Sequence, residues 1–375
     1  MKILKNIAMI IFVVLYALMN VFIADTINRA LINAFDINIE YILLILVVIG
    51  TIVAVITVGL LSKNVGAVTG KIGLYSFGFS VMAFFTILIT DLIGKIVLGG
   101  TTHEKYFGVV QIIIILIVFL YGRYNAGKVK ITNYDIQIDK ESSLDKLEVI
   151  LISDLHLGYF NDNKKFRRNV EKINSLKPDV VAIAGDLFDE NFKALQGEDE
   201  AIEIFNKIKS TYGTYLSFGN HDAGRTFEGM KNFVQSTNIK LLEDETVTFD
   251  KKFAIGGRRD LSPMGFSGGT RHKDWNKDGV KDIPIILLDH QPIFKEYNKE
   301  DVDLILSGHT HKGQIFPFNL ITKMHFENHY GYVKLKSGIQ TIVTSGLGTW
   351  GPPVRLASRN EIVKINIRFN QKEQK

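Results

Sequence analysis

Five short polar clusters in this chain carry residue types that bind divalent metal ions, and each one follows a hydrophobic run. They are Ser153-Asp154-Leu155-His156, Gly185-Asp186-Leu187-Phe188-Asp189, Gly219-Asn220-His221-Asp222, Asp289-His290-Gln291-Pro292 and Gly308-His309-Thr310-His311. Carboxylate, imidazole and amide oxygen together suit hard or borderline ions such as manganese, iron or zinc. The chain has no cysteine, which excludes disulfides and thiolate metal sites. Asp154, Asp186, Asn220, His156, His290, His309 and His311 supply enough donors for two metal ions, with one carboxylate free to bridge them. Two cations about 3.5–4 Å apart can clamp a phosphate, lower the pKa of a bound water and stabilise the leaving oxygen. A lone Asp-x-His is ordinary turn polarity; five such clusters in order, each closing an apolar run, point to a two-metal centre.

The elements that position these clusters alternate. Residues 147–153, 179–184, 214–218, 283–288 and 302–306 read as buried strands, and residues 164–176 as an amphipathic helix. Residues 340–344 and 361–367 read as late strands. This is an α/β pattern, in which rigid strand ends can aim ligands at one point. It occupies residues 130–375, about 245 residues and a reasonable size for one enzyme domain.

Residues 1–129 are different. Four apolar runs, about 3–24, 41–61, 73–98 and 106–122, approach or exceed the roughly 17–20 residues a membrane helix needs. They predict a bundle of four transmembrane helices and a multi-pass protein of the cell membrane. With the N-terminus inside, inner segments carry Lys2, Lys5, Lys63, Lys71, Arg123, Lys128 and Lys130, against Arg29, Lys95 and Lys105 outside. That asymmetry places the catalytic domain in the cytoplasm. The net charge of +5 fits juxtamembrane lysines facing anionic lipid, and no nucleic-acid partner is expected. Asp91 and Lys95, four apart, are expected to pair on one helix face near the membrane surface.

The order D-x-H, G-D-x-x-D, G-N-H-D, H-x-P, G-H-x-H resembles the calcineurin-like metallophosphoesterase superfamily over residues 147–367. It looks nearest to a membrane-associated bacterial branch that includes YkuE-like phosphoesterases and relatives of UDP-2,3-diacylglucosamine pyrophosphatase. The segments Ser345-Gly346-Leu347-Gly348-Thr349 and Pro352-Pro353-Val354-Arg355 share that likeness. The resemblance implies two mixed β-sheets sandwiched between helices. It implies one divalent metal on Asp154, His156, Asp186 and His311, and a second on Asp186, Asn220, His290 and His309. His221 would contact the phosphate and protonate the leaving oxygen, Asp222 would orient His221, and Asp189 would support a metal-bound imidazole. The implied reaction is attack of a metal-activated water on a phosphomonoester, phosphodiester or pyrophosphate. Lys312 replaces the branch's usual glycine, and Arg359-Asn360-Glu361 its frequent Arg-Pro-Glu.

The anchor makes a lipid-linked phosphate an expected substrate, with membrane lipid as partner. A tethered nucleotide phosphodiesterase, or a membrane sensor or scaffold with a vestigial hydrolase domain, are the alternatives. Between Arg259 and Ile283 a glycine-rich segment with Met264, Phe266, Arg271, His272, Lys273 and Trp275 is expected to be exposed and to choose the substrate. Within it, residues 274–279 match only the start of a calcium-binding loop, because position 285 is Ile rather than Glu.

Overall fold

Apolar runs too long for a globular core fill the first third of the chain, and in the computed structural model they become four helices. The structure describes residues 2–60, 67–97, 99, 105–158, 160–189, 192–224, 226–250, 252–262, 271, 272, 275, 280 and 282–371. The helices are α1 (Lys2–Phe35), α2 (Glu40–Leu60), α3 (Ala67–Val97) and α4 (Phe107–Ala126). Three stretches within them, Met9–Phe35, Val68–Val97 and Phe107–Ala126, are long and apolar enough to cross a membrane; in α2 the apolar stretch Glu40–Val53 is shorter. Helix α1 runs past the apolar run that predicts it. It continues through the Asp25–Arg29 ion pair at 2.8 Å and stops where Asp36 adopts φ 60°. The expected Asp91–Lys95 pair is not formed among the described residues. Asp91 instead accepts a hydrogen bond from Gln111 Nε2 at 2.7 Å, which satisfies its carboxylate from the next helix.

The chain divides into two compact units. One comprises Met1–Asn125 with the short segments Ile315–Pro317 and Gly351–Leu356. Inside it, buried Ile315 and Val354 cluster with Val81 and Met82 of α3, and Arg355 N donates to Gly122 O at 2.9 Å.

The other unit comprises Ala126–Gln314, Phe318–Trp350 and Ala357–Lys375. Its elements are β1 (Val129–Ser142), β2 (Lys146–Ile152), α5 (Asn163–Ser175), β3 (Val180–Ala184), α6 (Glu198–Phe205), β4 (Thr214–Ser217), α7 (Phe227–Gln235), β5 (Ile239–Leu241), β6 (Glu245–Phe249), β7 (Phe253–Gly257), β8 (Ile285–Leu288), β9 (Leu304–Ser307), α8 (Phe318–His325), β10 (Gly331–Lys334), β11 (Gln340–Val343) and β12 (Asn360–Gln371). They build two mixed sheets, ordered β1-β12-β2-β3-β4-β5 and β10-β11-β9-β8-β7-β6. Strands β2, β3 and β4 run parallel in the first sheet, and β7, β8 and β9 in the second. Sequence reading finds the eight predicted elements within a few residues but passes over β1, which pairs in parallel with β12 along nearly its whole length.

The sheets are covered on both faces, which is why their strands read as continuous apolar runs rather than alternating ones. In β2, Val149 and Leu151 enter a core shared with Ile255 of β7, Ile286 of β8 and Leu304 of β9. Their neighbours Ile150 and Ile152 pack on the other side against Phe166 and Val170 of α5 and Phe233 of α7. Each such side chain contributes about 1.5–3 kcal/mol through its burial. Helix α5 begins where Asp162 accepts from Lys165 N at 2.8 Å, capping its N-terminus, and it buries Phe166, Val170 and Ile173 on one stripe.

A third cluster, on the far side of the second sheet, corrects an expectation. Trp275 is buried there against Ala254, Ile285 and Leu287 rather than exposed for substrate. Arg271 is buried too, bonded to Asp289 through both terminal nitrogens at 3.2 and 2.7 Å and to Glu296 at 2.6 Å. A buried guanidinium needs carboxylate partners, and these two take it out of any role at the surface. His272 is exposed, its backbone tied down by donating to Asp244 Oδ2 at 3.0 Å and accepting from Arg258 at 2.9 Å. Met264, Phe266, Lys273 and residues 274 and 276–279 of the calcium-loop match lie outside the described residues.

Candidate metal centre

The ligand-type residues converge because they occupy the C-terminal ends of parallel strands from both sheets. Asp154, Asp186 and Asn220 follow β2, β3 and β4; His290 follows β8, and His309 and His311 follow β9. Adjacent loops run side by side, with Asp154 N donating to Gly185 O at 2.9 Å and His156 N to Asp186 O at 3.1 Å. The two carboxylates also lace loops together. Asp154 accepts from His309 N at 3.1 and 3.2 Å, and Asp186 Oδ1 accepts from His221 N at 2.9 Å. A Cβ at Gly219 would overlap Asp186 Oδ1, and one at Gly308 would overlap Ser153 Oγ and Asp154 Oδ2, so only glycine lets these loops approach.

Backbone strain is concentrated here. Asp154, His156, Asp186, His309 and His311 adopt φ of 52°, 44°, 52°, 70° and 49°, the left-handed region that L-residues avoid at about 1–2 kcal/mol each. Five strained residues, all of ligand type, mark a site held in shape by its surroundings.

The side chains form two groups of donors. Asp154, His156 and His311 make one; Asp186, His290 and His309 make the other, and in each the donor atoms all lie within 4.8 Å of one another. In the first, His156 Nε2 is 3.1 Å from His311 Nε2, and His311 Nε2 is 3.2 Å from Asp154 Oδ1. In the second, His290 Nε2 is 3.0 Å from Asp186 Oδ2 and 3.1 Å from Asn220 Oδ1, and His309 Nδ1 is 2.8 Å from the same Asn220 oxygen. Asp186 Oδ2 also reaches toward the first group, 3.8 Å from His156 Nε2.

This donor set fits divalent metal. Ligand atoms bound at about 2.1 Å to one ion in octahedral array lie about 3.0 Å apart, which is the spacing found. Two imidazole nitrogens 3.1 Å apart cannot both carry protons pointing at each other, but both lone pairs can serve one cation. Supporting contacts fix the rings. His290 Nδ1 faces Ala184 O at 2.8 Å, so it must be the protonated nitrogen and Nε2 the free donor. His156 Nδ1 lies 3.2 Å from Asp189 Oδ1, an ion-pair contact that falls short of hydrogen-bond geometry.

Electrostatics say the same. Burial works to raise the Asp154 and Asp186 carboxyls, but His311 and His290 outweigh it and hold both below the usual range. Burial works to lower His156 and His290, yet the neighbouring Asp189, Asp186 and Asp154 pull both rings upward. His309 goes the other way, to about 4, through burial and the adjacent His290. The cluster thus draws positive charge onto itself, the requirement a metal would meet.

His221 stands outside both groups. It is half-buried, 4.9 Å ring to ring from His156 and 6.2 Å from Trp350, whose side chain is 52% exposed. Asp222, expected to orient His221, is fully buried and accepts from Leu187 N at 3.1 Å, Phe188 N at 3.0 Å and Gly219 N at 2.9 Å. Those bonds tie the Asp186 loop to the Asn220 loop. Burial and the nearby Asp186 push the Asp222 carboxyl up to about 7.

Sequence reasoning missed two supports. Glu361, buried, accepts from Thr344 Oγ1 at 2.9 Å and Ser345 N at 2.8 Å; the loop it holds sends Leu347 N to Ser153 O and Gly348 N to Asp154 O, each at 2.8 Å. Asp289 anchors Arg271 one residue before His290. The signal for both is a carboxylate adjoining a strand or ligand motif with no solvent-facing reason to be there. Lys312, directly after His311, adopts φ 51° and sets its ammonium 3.9 Å over the Tyr330 ring.

Residues 147–313 match the calcineurin-like phosphoesterase family. A transmembrane protein with metallophosphoesterase domain from Danio rerio is 32% identical over 275 residues, covering 69% of this chain and 62% of the relative. The chain thus spans less than two thirds of that relative's length. An uncharacterized metallophosphoesterase of Helicobacter pylori (strain J99) is 34% identical over 66% of this chain and 67% of its own. An uncharacterized metallophosphoesterase of Campylobacter jejuni is 32% identical over 76% and 78%. Likeness on that scale, over a domain whose strand ends carry two groups of metal donors, makes this chain a member of the calcineurin-like metallophosphoesterase family, metal-dependent phosphoesterases that use two divalent ions.

Proposed function

We propose that residues 1–129 anchor the chain in a membrane as a multi-pass bundle and that residues 130–375 hydrolyse a phosphate ester on the cytoplasmic side. The observation that supports this most is Asp186, whose Oδ2 lies within 4 Å of His290 in one donor group and His156 in the other. Asp154, His156, Asp186 and His311 would hold one ion, and Asp186, Asn220, His290 and His309 the second. When bound, the pair of ions neutralises phosphoryl oxygens and makes a water acidic enough to act as nucleophile near neutral pH.

The chain's own groups do the rest. Ala184 O and Asp189 hold the His290 and His156 rings in the orientation that presents Nε2 inward. Asp222 locks the two loops that carry Asp186 and Asn220. His221, at the rim, donates a hydrogen bond to a phosphoryl oxygen and passes a proton to the departing oxygen, a role worth about 10²–10⁴-fold in rate. Trp350 beside it offers an exposed aromatic face for the apolar part of a substrate.

A lipid-linked phosphate is the favoured substrate, because the enzyme would meet it in the plane of its own anchor; a soluble nucleotide ester is the alternative. The deciding experiment purifies the full chain, strips it with chelator, reloads manganese and assays an aryl phosphodiester, a nucleotide diester and a phospholipid-linked pyrophosphate. Manganese-dependent turnover of any of the three supports the hydrolase. No turnover by a protein that binds two metal equivalents would leave a sensor or scaffold.

A further inference from the structure

Helix α8 is built inside out for a soluble protein. It has eight residues and buries none of them. At 100° per residue, Leu320, Ile321 and Met324 share one arc with Phe318, while Asn319, Thr322 and Lys323 occupy the other. The polar arc is the one turned toward the protein: Asn319 and Thr322 are partly covered, whereas Leu320 is 49%, Ile321 58% and Met324 88% exposed. Phe316, just before the helix, is also exposed. A helix this short is marginal in water by itself, and an outward apolar face gives it no help there.

We infer that α8 lies in the membrane interface, its Leu320–Ile321–Met324 face immersed among lipid acyl chains. Three observations select lipid over another occupant. The residues immediately preceding the helix, Ile315–Pro317, belong to the compact unit that carries the membrane-length helices, with Ile315 buried among Val81, Met82 and Val354. Phe318 follows Pro317 directly, so the chain leaves that unit and enters α8 with no linker between. The helix contains no acidic residue, and Lys323 stands at the border of the exposed arc, where a basic side chain meets anionic headgroups.

The placement has a consequence for the centre. Helix α8 begins seven residues after His311, so the metal-donor loop and the interfacial helix are parts of one short segment. Seating α8 in lipid would fix the height of that segment at the membrane surface.

The chain lacks cysteine, so single-cysteine variants can be labelled without background. Leu320→Cys, Ile321→Cys and Met324→Cys, each at an exposed position, carry an environment-sensitive fluorophore in the full-length protein reconstituted into vesicles of phosphatidylcholine and phosphatidylglycerol. Ile117→Cys on α4 serves as the lipid reference and Glu171→Cys on α5 as the aqueous one. The α8 labels are expected to lose quenching by aqueous iodide to the level of Ile117. Nitroxides near the headgroup should quench them more than nitroxides deep in the chains, since interfacial helices sink about 5–10 Å. Iodide quenching equal to that of Glu171 would overturn the assignment. Protection from both iodide and lipid nitroxide would overturn it as well, and would place a protein partner or a second copy on this face. If Ile117 also reads as aqueous, the anchor reading fails with it; lipid quenching at Ile117 and none on α8 leaves the anchor standing and removes only α8 from the membrane.

Discussion

Asp222→Asn separates the role that the sequence resemblance implies for this residue, orienting His221, from the one its hydrogen bonds describe, locking two loops. The carboxylate receives three backbone N–H groups: Oδ2 takes Leu187 and Gly219, and Oδ1 takes Phe188. An asparagine can aim its single oxygen at the Leu187–Gly219 pair, which leaves its NH₂ facing the N–H of Phe188. One hydrogen bond is lost and two buried donors, the Phe188 N–H and the new NH₂ that faces it, are left unsatisfied, together at least about 2–4 kcal/mol. Loss of charge adds little, because the carboxyl is already pushed up to about 7. For a domain of this size that translates into a fall in melting temperature of roughly 5–15 °C. The assay is intrinsic fluorescence of the full chain: its two tryptophans, Trp275 and Trp350, both lie in the catalytic unit, so unfolding of that unit is read without interference from the helices. Measured in chelator, the shift reports the loops alone. A melting temperature within about 2 °C of the parent, accompanied by a large loss of turnover, would refute the reasoning and give Asp222 back to His221.

Asp186→Asn is expected to remove both metal equivalents, as counted by elemental analysis, whereas His221→Ala retains both and lowers turnover about 10²–10⁴-fold. Loss of metal from the His221 variant would make that ring a ligand. Chelator should abolish activity, and manganese at 100 times its dissociation constant should restore it and stabilise the catalytic unit by about 2.7 kcal/mol for each ion bound, read in the same fluorescence melt. Arg271→Ala leaves the buried Asp289 carboxylate without its cation and with the Tyr297 hydroxyl as its side-chain partner, and should destabilise that unit by about 3–5 kcal/mol, with metal content preserved in the fraction that stays folded.

Much of the centre was legible in the sequence because each donor closes an apolar run, and the run fixes the direction in which it points. Asp154 after 147–153 and His290 after 283–288 needed only that rule. What escaped notice depends on partners distant along the chain. Arg271 and Trp275 read as surface residues until Asp289, Glu296 and the face of β7 and β8 are seen to enclose them. Strand β1 alternates Tyr134, Ile136 and Ile138 with polar residues, a period-2 signal overshadowed by the membrane-length run before it. Hydropathy located α1 but not its end, since helical hydrogen bonding continues through Asp25 and Arg29. The outward face of α8 was invisible for a different reason: eight residues cannot be oriented by pattern when the environment they face is unknown.

Strand β12 sits between β1 and β2, neither of which touches the other in the first sheet. During translation the segment that fills this gap is delivered some two hundred residues after β2 leaves the ribosome, long after the anchoring helices have been made. Until it arrives, β2 lacks a neighbour on one side, and Glu361 cannot hold the loop that braces Asp154. Connectivity therefore imposes an order on synthesis: the apolar helices are made first, and the strand that closes the first sheet comes last. A nascent or truncated product missing this strand would remain a tethered but inactive precursor.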